Sequence, residues 1–333
     1  MNRIATLAPA PVGRGHRTPP LLLVLGLLLL AGCARAPQPT APPPVSGDSF
    51  PLTLTDAQGV SVTLPARPER IVSVSPTITE MLFAIGAGDR VVAVTNQCDY
   101  PPEVKRLNKV GLWFTPSAEK ALGARPDLVI GQQGNPSEFI GALRKSGCPV
   151  FTTLEPASLT DIHAQLRWLG QLTGARDGAE RVIAQMQQRL AMVERRIAEV
   201  PESRRPTAFI FLQIGPVWTA GSGTFQDEAI RAAGARNAGS RVKGFREFSL
   251  ESLVAADPDF LLVATMTGDP DMMKRQVLSH PVLKRLTAVR RGRLVVIEED
   301  EIMRAGPRIV NAVAAMAKAF YPDRVSSSAT SVR

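Results

Sequence analysis

Apolar and polar residues alternate along residues 50–54 and again along residues 60–64. The turn residues Asp56 to Gly59 separate the two runs. Alternation on both sides of a short turn is typical of two antiparallel strands. The pattern therefore predicts a small β-hairpin at the start of the folded part of the chain.

The next pattern is a strand, a tight turn and a helix. Residues 71–75 have the strand-like sequence Ile-Val-Ser-Val-Ser, Pro76 follows, and Thr77 and Glu80 have the spacing of a helix capping box. Short β-branched runs then alternate with stretches of helical periodicity, which is typical of a parallel sheet covered by helices. The further predicted strands are 91–95, 128–131 and 150–153, and the predicted helices are 116–124 and 136–146.

A long proline-free stretch separates this half of the chain from a second set of strands and helices. Residues 174–200 carry one apolar stripe, formed by Val182, Met186, Leu190, Val193 and Ile197. A helix over these residues would be about 40 Å long, more than one small domain needs. We interpret it as a connection between two lobes of a monomer, with a self-associating coiled-coil arm as the alternative.

The second half repeats the α/β pattern. Its predicted strands are 208–212, 260–264 and 294–297, and its predicted helices lie near 224–235, 250–256 and 307–320. We therefore predict an α/β fold with two Rossmann-like lobes joined by one long helix. The predicted divisions are an N-terminal lobe at 50–173, a connecting helix at 174–200, a C-terminal lobe at 201–322 and a frayed tail at 323–333.

The first 32 residues have the pattern of a lipoprotein signal peptide. A basic segment precedes the apolar run Leu21 to Leu30, and Ala31 and Gly32 come directly before Cys33. Ten apolar residues are few for a membrane-spanning helix, which is the alternative interpretation. Cleavage before Cys33 would leave a lipidated cysteine, followed over 33–49 by a proline-rich, disordered linker. With Ala34 rather than Asp after the cysteine, we expect the outer membrane if the cell has two membranes.

Charge and cysteine content add two expectations. The formal net charge is +9, but no basic stripe is interleaved with aromatic residues, so we do not expect nucleic-acid binding. Cys98 and Cys148 would reside in an oxidising compartment, where a disulfide is one possibility. Since one cysteine follows a predicted strand and the other precedes one, they belong at opposite edges of a parallel sheet, which argues against a bond.

Several kinds of catalytic chemistry lack their sequence motifs. The chain has no nucleophile elbow, phosphate-binding loop or zinc-protease helix. Its three histidines, His16, His163 and His280, have no clustered cysteine or carboxylate partners, so no metal site is expected. A secreted enzyme that uses Asp99 and Asp300 as an acid–base pair remains an alternative.

Aromatic and charged residues instead follow predicted strands, at positions that face the ligand cleft in α/β sheets. They are Tyr100, Trp113, Trp218, Phe245 and Arg304. Each could be an ordinary core or loop residue. Together they predict a wide site with aromatic walls.

Three segments of the first half and three of the second carry a family resemblance. The segments begin at Ser75 (SPTITE), Cys98 (CDYPP), Arg125 (RPDLVI), Phe211 (FLQ), Ser249 (SLESL) and Arg304 (RAGPR). In this order they resemble the class III periplasmic binding proteins, of the iron–siderophore and cobalamin type. Within that family they are most similar to the cobalamin receptors, over residues 68 to 320.

The resemblance implies a non-enzymatic receptor that captures cobalamin, a corrinoid, between its lobes and delivers it to an ABC permease dimer with its ATPase subunits. Haem or a ferric siderophore is the alternative ligand, and no cofactor is implied beyond the transported molecule. The implied ligand-binding positions are Tyr100, Trp113, Trp218, Phe245, Asp300, Glu301, Ile302, Met303 and Arg304. Gln132 departs from the family pattern, because the cobalamin receptor has Trp there.

The resemblance also implies that Glu119 and Glu251, one on each lobe, dock on arginines of the permease. The alternative is that each glutamate only complements the dipole of its own helix, because acidic residues are common in first turns.

Overall fold

The computed structural model describes residues 49–264 and 269–325. Cys33, the predicted signal peptide, most of the predicted linker and the end of the predicted tail lie outside the described residues. Within those ranges, no helix has both the length and the apolar composition needed to cross a bilayer.

The first lobe is a parallel sheet covered by helices. Its strands are β1 Leu52–Thr55, β2 Ser61–Leu64, β3 Ile71–Ser73, β4 Val91–Val94, β5 Asn108–Lys109, β6 Gly111–Leu112, β7 Thr115–Pro116, β8 Leu128–Gln132 and β9 Val150–Thr153. Its helices are α1 Pro76–Ala84, α2 Ala118–Gly123, α3 Ser137–Lys145 and α4 Leu159–Thr173. The sheet has the order β5-β4-β3-β8-β9, while β1 and β2 pair as a separate antiparallel hairpin.

The sheet and the hairpin confirm the strands predicted from the first half of the sequence. Strands β3, β8 and β9 are buried along their whole length, as expected for a parallel sheet with both faces covered. Cys98 follows β4 and Cys148 precedes β9, and both are free cysteines.

The predicted capping box at the start of α1 is wrong. Ser75 is the cap, and its side chain accepts a hydrogen bond from the backbone N–H of Ile78. Pro76 occupies the first turn, where its missing N–H costs nothing. The carboxylate of Glu80 is therefore not needed at the helix end, and it contacts the second lobe instead.

The long helix α5 spans Arg176–Ile197, which is shorter than the predicted 174–200. Gly174 adopts a left-handed conformation with φ 60° and ends the preceding helix, α4, rather than beginning α5. The apolar stripe of α5 packs against α4 and also against a helix of the second lobe, α11 Ile309–Phe320. A helix of 22 residues is roughly 33 Å long and makes both contacts.

The second lobe repeats the architecture. Its strands are β10 Thr207–Phe211, β11 Trp218–Ala220, β12 Arg236–Asn237, β13 Phe245–Glu247, β14 Phe260–Val263 and β15 Leu294–Val296. Its helices, besides α11, are α6 Phe225–Ala232, α7 Leu250–Ala256, α8 Pro270–Ser279, α9 Thr287–Arg290 and α10 Glu299–Met303. The parallel sheet has the order β12-β10-β14-β15, and β11 pairs with β13 as an antiparallel ribbon.

The predicted strands β10, β14 and β15 are confirmed. The β11–β13 ribbon, strand β12 and helices α8, α9 and α10 were not predicted, and neither was α4 of the first lobe. Each strand of the ribbon has only three residues, too few for a pattern of alternation to stand out. The result is the predicted α/β fold of two lobes joined by one long helix.

Candidate ligand-binding cleft

A cavity of about 710 Å³ lies between the two lobes. The first lobe contributes residues at or just after the carboxyl ends of its strands. Ser75 follows β3, Gln97 follows β4, Gln132 ends β8 and Glu155 follows β9. Because parallel strands end at the same edge of their sheet, four separate segments supply one wall.

The second lobe supplies the facing wall in the same way. Leu212 and Gln213 follow β10, while Trp218 and Phe245 lie on the β11–β13 ribbon. Helix α10 and the residue after it add Glu299, Asp300, Met303 and Arg304. The cavity is therefore a cleft between the carboxyl ends of two parallel sheets.

Aromatic rings line both walls of the cleft. Trp113 comes from the loop between β6 and β7, and Trp218 and Phe245 face the same cavity from the second lobe. Phe245 is 37% exposed, a large fraction for a phenylalanine, which fits a ring that faces a cavity and not the core. Such rings offer flat apolar faces to a flat ligand.

The position of Trp113 is fixed by its neighbours. Its backbone N–H donates to Gln97 Oε1 at 3.0 Å, and Asn135 Nδ2 donates to its carbonyl oxygen at 3.2 Å. Gly134 has φ +100°, and a Cβ there would lie 2.8 Å from the Trp113 ring. Glycine is therefore needed at position 134, both for its backbone conformation and to leave room for the indole.

Uncharged amides make up much of the polar surface of the cleft. The glutamines that line it are Gln97, Gln132, Gln133 and Gln213. Ser75 donates a short hydrogen bond to Gln132 Oε1, which holds that amide between β3 and β8. Each glutamine can both donate and accept hydrogen bonds, so the cleft suits a ligand that does the same.

Charged residues form a network across one end of the cleft, between the lobes. Arg304 of the second lobe contacts Glu80 at 2.6 Å and Asp99 at 2.9 Å, both in the first lobe. Arg308 also contacts Glu80, at 2.7 Å. The side chain of Glu80 is only 2% exposed, so its charge depends on these two guanidinium groups.

Asp300 completes this inter-lobe ion network. Its carboxylate lies 2.9 Å from the Arg304 guanidinium. Burial raises the pKa of Asp300, and the nearby Arg304 opposes that rise. Arg304 contacts both Asp99 and Asp300, so its guanidinium lies between the two carboxylates. A substrate would have to occupy that position for the two aspartates to act on it as an acid–base pair.

Some of the residues that the resemblance assigned to the ligand line the cleft, and others do not. Trp113, Trp218, Phe245, Asp300, Met303 and Arg304 line the cleft. Ile302 is fully buried in the core, and Glu301 accepts a hydrogen bond from Asn311 at 2.6 Å. These two side chains lie on the faces of α10 that turn away from the cleft.

Tyr100 also lies outside the cleft lining. The Arg308 guanidinium stacks on its ring, 3.9 Å from the ring centre. Tyr100 lines a separate cavity of about 250 Å³ together with Glu80, Phe83 and Arg308. In this structure the tyrosine supports the inter-lobe ion network.

Several residues of the cleft had not been singled out as ligand contacts. They are Ser75, Gln97, Gln133, Glu155 and Gln213. All of them lie within three residues of a strand end, which is the one sequence signal that could have identified them.

We predict that Glu80→Gln destabilises the protein by roughly 3–5 kcal/mol, because it leaves two half-buried guanidinium groups without their shared carboxylate. Denaturant unfolding measures the change. Glu180→Gln is the matched control: Glu180 pairs with Arg167 at 2.7 Å on the surface, where such pairs contribute at most about 1 kcal/mol. An equal loss of stability in the two variants would show that the buried network contributes no more than a surface ion pair.

Glu119 and Glu251 occupy equivalent places on the two lobes. Each is exposed in the first turn of a short helix, α2 or α7, two residues after a serine whose side chain caps that helix. The caps, Ser117 and Ser249, already satisfy one backbone N–H each. Both carboxylates therefore point into solvent at the start of a helix.

No group of three or more His, Cys, Asp and Glu side chains in residues 49–264 and 269–325 is arranged to hold a metal ion. The cleft with its aromatic and amide walls, between two α/β lobes on one long helix, is typical of a receptor for a bulky small molecule.

Comparison with known proteins agrees with this description. Residues 71–301 match the periplasmic binding protein family, and the chain belongs to that family. Its fold is that of the class III periplasmic binding proteins, and it is the substrate-binding component of an ABC importer. Such components are not enzymes, and they work outside the cytoplasm with a permease and an ATPase.

The individual relatives differ in the ligand that their names give. The chain is 29% identical to the Bacillus subtilis ABC transporter substrate-binding lipoprotein YvrC, over 90% of this chain and 96% of that protein. It is 29% identical to a cobalamin-binding protein of Halobacterium salinarum, over 92% and 85%. The solved structure of the periplasmic heme-binding protein RhuT from Roseiflexus is 32% identical, with a TM-score of 0.68 over 76% and 98%.

Proposed function

We propose that this protein captures cobalamin or a related corrinoid in the cleft and delivers it to the permease of an ABC importer. The observation that carries the proposal is the combination of aromatic rings on both walls with four glutamine amides. A corrin has broad apolar faces and a rim of amide side chains. Aromatic walls would remove the faces from water, and the glutamines would pair with the rim.

Haem is the second candidate ligand, because the similarity to a heme-binding protein favours it. Haem iron is normally held by a His, Cys, Tyr or Met side chain. Of these four types, only Met303 occurs among the described residues that line the cleft. A methionine ligand to haem iron usually works opposite a histidine, so the lining suits haem less well than a corrin.

The charge of the cleft lining also favours a corrinoid over haem and over the ferric siderophores. The cleft is lined by the carboxylates of Glu155, Glu299 and Asp300 and by the guanidinium of Arg304, which already contacts three carboxylates. Haem propionates and anionic ferric siderophores would meet net negative charge. The amide rim of a corrin would not be repelled.

The test is to purify the protein from cells supplied with cobalamin and, separately, with haem, and to record the absorption spectra. We expect a corrin spectrum at about one ligand per chain from the first culture and apoprotein from the second. A haem spectrum from the second culture, with apoprotein from the first, would overturn the corrinoid proposal and favour haem.

Attachment to the membrane is a further part of the proposal. We expect lipid on Cys33, after removal of residues 1–32, and retention at the periplasmic face of the cell envelope, on the outer membrane if there are two. The relative from Bacillus subtilis is itself named a lipoprotein, which supports this assignment.

We predict that Cys33→Ser abolishes metabolic labelling with a radioactive fatty acid and moves the protein from the detergent phase to the aqueous phase. The reason is that Cys33 would be the acyl attachment site. Cys98→Ser, which removes a buried thiol within the folded part, is the control and should keep the label. Undiminished labelling of Cys33→Ser would exclude this anchor.

A further inference from the structure

Glu155 stands apart from the other charged residues of the cleft. It lies two residues after β9, the edge strand of the first sheet, and it lines the cavity. The side chain is exposed to the cavity, yet enough protein surrounds it that burial raises the pKa of its carboxyl group. Glu155 can therefore reach a ligand in the cleft.

Distance isolates Glu155 from the inter-lobe ion network. Asp99, which contacts Arg304, follows β4, and the sheet order β4-β3-β8-β9 places Glu155 three strands away. At about 4.8 Å per strand, the two ends of the cleft are roughly 14 Å apart. Within the described part of the chain, the Glu155 carboxylate has no hydrogen-bond or ion-pair partner.

Asp300 provides the contrast, because it also lines the cleft but pairs with Arg304 at 2.9 Å. The guanidinium offsets the negative charge of a carboxylate that is paired in this way. The unpaired carboxylate of Glu155 can still accept hydrogen bonds. A ligand group that covered it without donating a hydrogen bond would lose binding free energy.

We propose that Glu155 is a specificity-determining residue, which accepts an amide N–H from the rim of the ligand and rejects ligands that carry a carboxylate at the same position. The identity of the ligand as a corrinoid rests on the proposed function. The rejection of a rim carboxylate does not, because it would apply to any flat macrocycle that fills the cleft.

The physical reason is the opposite response of one carboxylate to two rim groups of nearly equal size. An amide N–H donates to the carboxylate in a charge-assisted hydrogen bond, which is stronger than one between neutral groups. A carboxylate in the same place donates nothing and repels the like charge in a partly desolvated site.

The test compares cyanocobalamin with its separated monocarboxylic acid derivatives, in each of which one rim amide is replaced by a carboxylate. Calorimetric titration at pH 7.5 gives the ratio of affinities. We expect at least one derivative to bind the wild-type protein on the order of tenfold more weakly than cyanocobalamin. In Glu155→Gln this penalty should fall below about twofold.

Glu138→Gln is the matched control, because Glu138 is exposed on α3, outside the cleft lining, and the change in net charge is the same. It should keep the wild-type ratio. A penalty that is unchanged in Glu155→Gln, or lost equally in the control, would overturn the proposal.

A failure of the corrinoid proposal is distinguishable from a failure of this one. If the wild-type protein binds no corrin, the same variants are titrated with haem and with haem dimethyl ester, whose propionates are uncharged. A preference for the ester that disappears in Glu155→Gln would support the role of Glu155. A preference that persists, or no binding of either macrocycle, would overturn it.

Discussion

Glu119→Arg combined with Glu251→Arg is expected to abolish uptake while leaving the affinity for ligand unchanged. Both glutamates are exposed, and both lie outside the cleft lining, so charge reversal should not disturb the captured ligand. If they dock on basic residues of the permease, reversal replaces two attractions with two repulsions. Rim charges of this kind mainly govern the rate of association and its dependence on salt.

The measurement is binding of the variant to its permease in lipid nanodiscs, after a cobalamin titration has shown that the cleft is intact. We expect the association rate at low salt to fall on the order of a hundredfold, with a smaller difference at high salt. Glu138→Arg with Glu202→Arg reverses two other exposed glutamates and should dock normally. Normal docking by both double variants would leave Glu119 and Glu251 only the role of complementing their helix dipoles.

Trp113→Ala and Trp218→Ala are each expected to weaken cobalamin binding by about 2 kcal/mol, or roughly thirtyfold. Each indole lines the cleft, so its truncation removes contact area from the ligand. Trp113 does not pack against the core clusters of the described residues, so in Trp113→Ala the affinity should fall much more than the free energy of unfolding. Trp218 also packs against the core, so Trp218→Ala should lower both quantities. Calorimetric titration and denaturant unfolding of the same preparations measure the two quantities.

Trp168→Ala is the matched control for these variants. Trp168 is half-buried on α4 and packs against Phe151, with the ring centres 5.9 Å apart. Its truncation should lower stability by roughly 3–5 kcal/mol, as for a core aromatic residue, and leave the affinity of the folded protein near the wild-type value. Unaltered affinity in both Trp113→Ala and Trp218→Ala would show that the cleft is not the binding site.

Tyr100 illustrates a limit of reasoning from sequence. The residue follows a predicted strand and matches a ligand-contacting position of the family, so it was assigned to the ligand. In the structure its ring lies under the Arg308 guanidinium, beside a smaller cavity. Arg308 is more than two hundred residues away along the chain, and no local pattern indicates that the two side chains meet.

The predicted capping box at the start of α1 is wrong because of another contact between distant segments. Thr77 and Glu80 have capping-box spacing, but Ser75 caps the helix, and Glu80 pairs with Arg304 and Arg308 of the other lobe. A capping hydrogen bond contributes about 1 kcal/mol. The charge of Glu80, which is almost fully buried, needs partners that are worth several times as much, so the tertiary contact prevails.

Glu155 shows the opposite case. It belongs to no sequence motif, but the fold places it apart from the other charged residues. A glutamate after a strand is common, and nothing in the segment Leu154-Glu155-Pro156 indicates a function. Its isolation follows from the sheet order, which places it three strands from the strand that leads to Asp99. Strand order is a property of long-range pairing, and the strand patterns do not encode it.

Sequence patterns predicted the hairpin, the main strands of both parallel sheets, the long helix and the family, but not helix α4, helix α8 or the β11–β13 ribbon. The predicted features depend on hydrophobic periodicity and on short motifs, which are local and can therefore be recognised in a single sequence. The long-range contacts of the fold determine which side chains share the cleft, which charges neutralise one another, and which charges remain for a ligand. These pairings depend on the distances between segments that are far apart in sequence and on how deeply each side chain is buried. The free energy of a charged group depends on the charges and the solvent around it in space, and not on its neighbours along the chain.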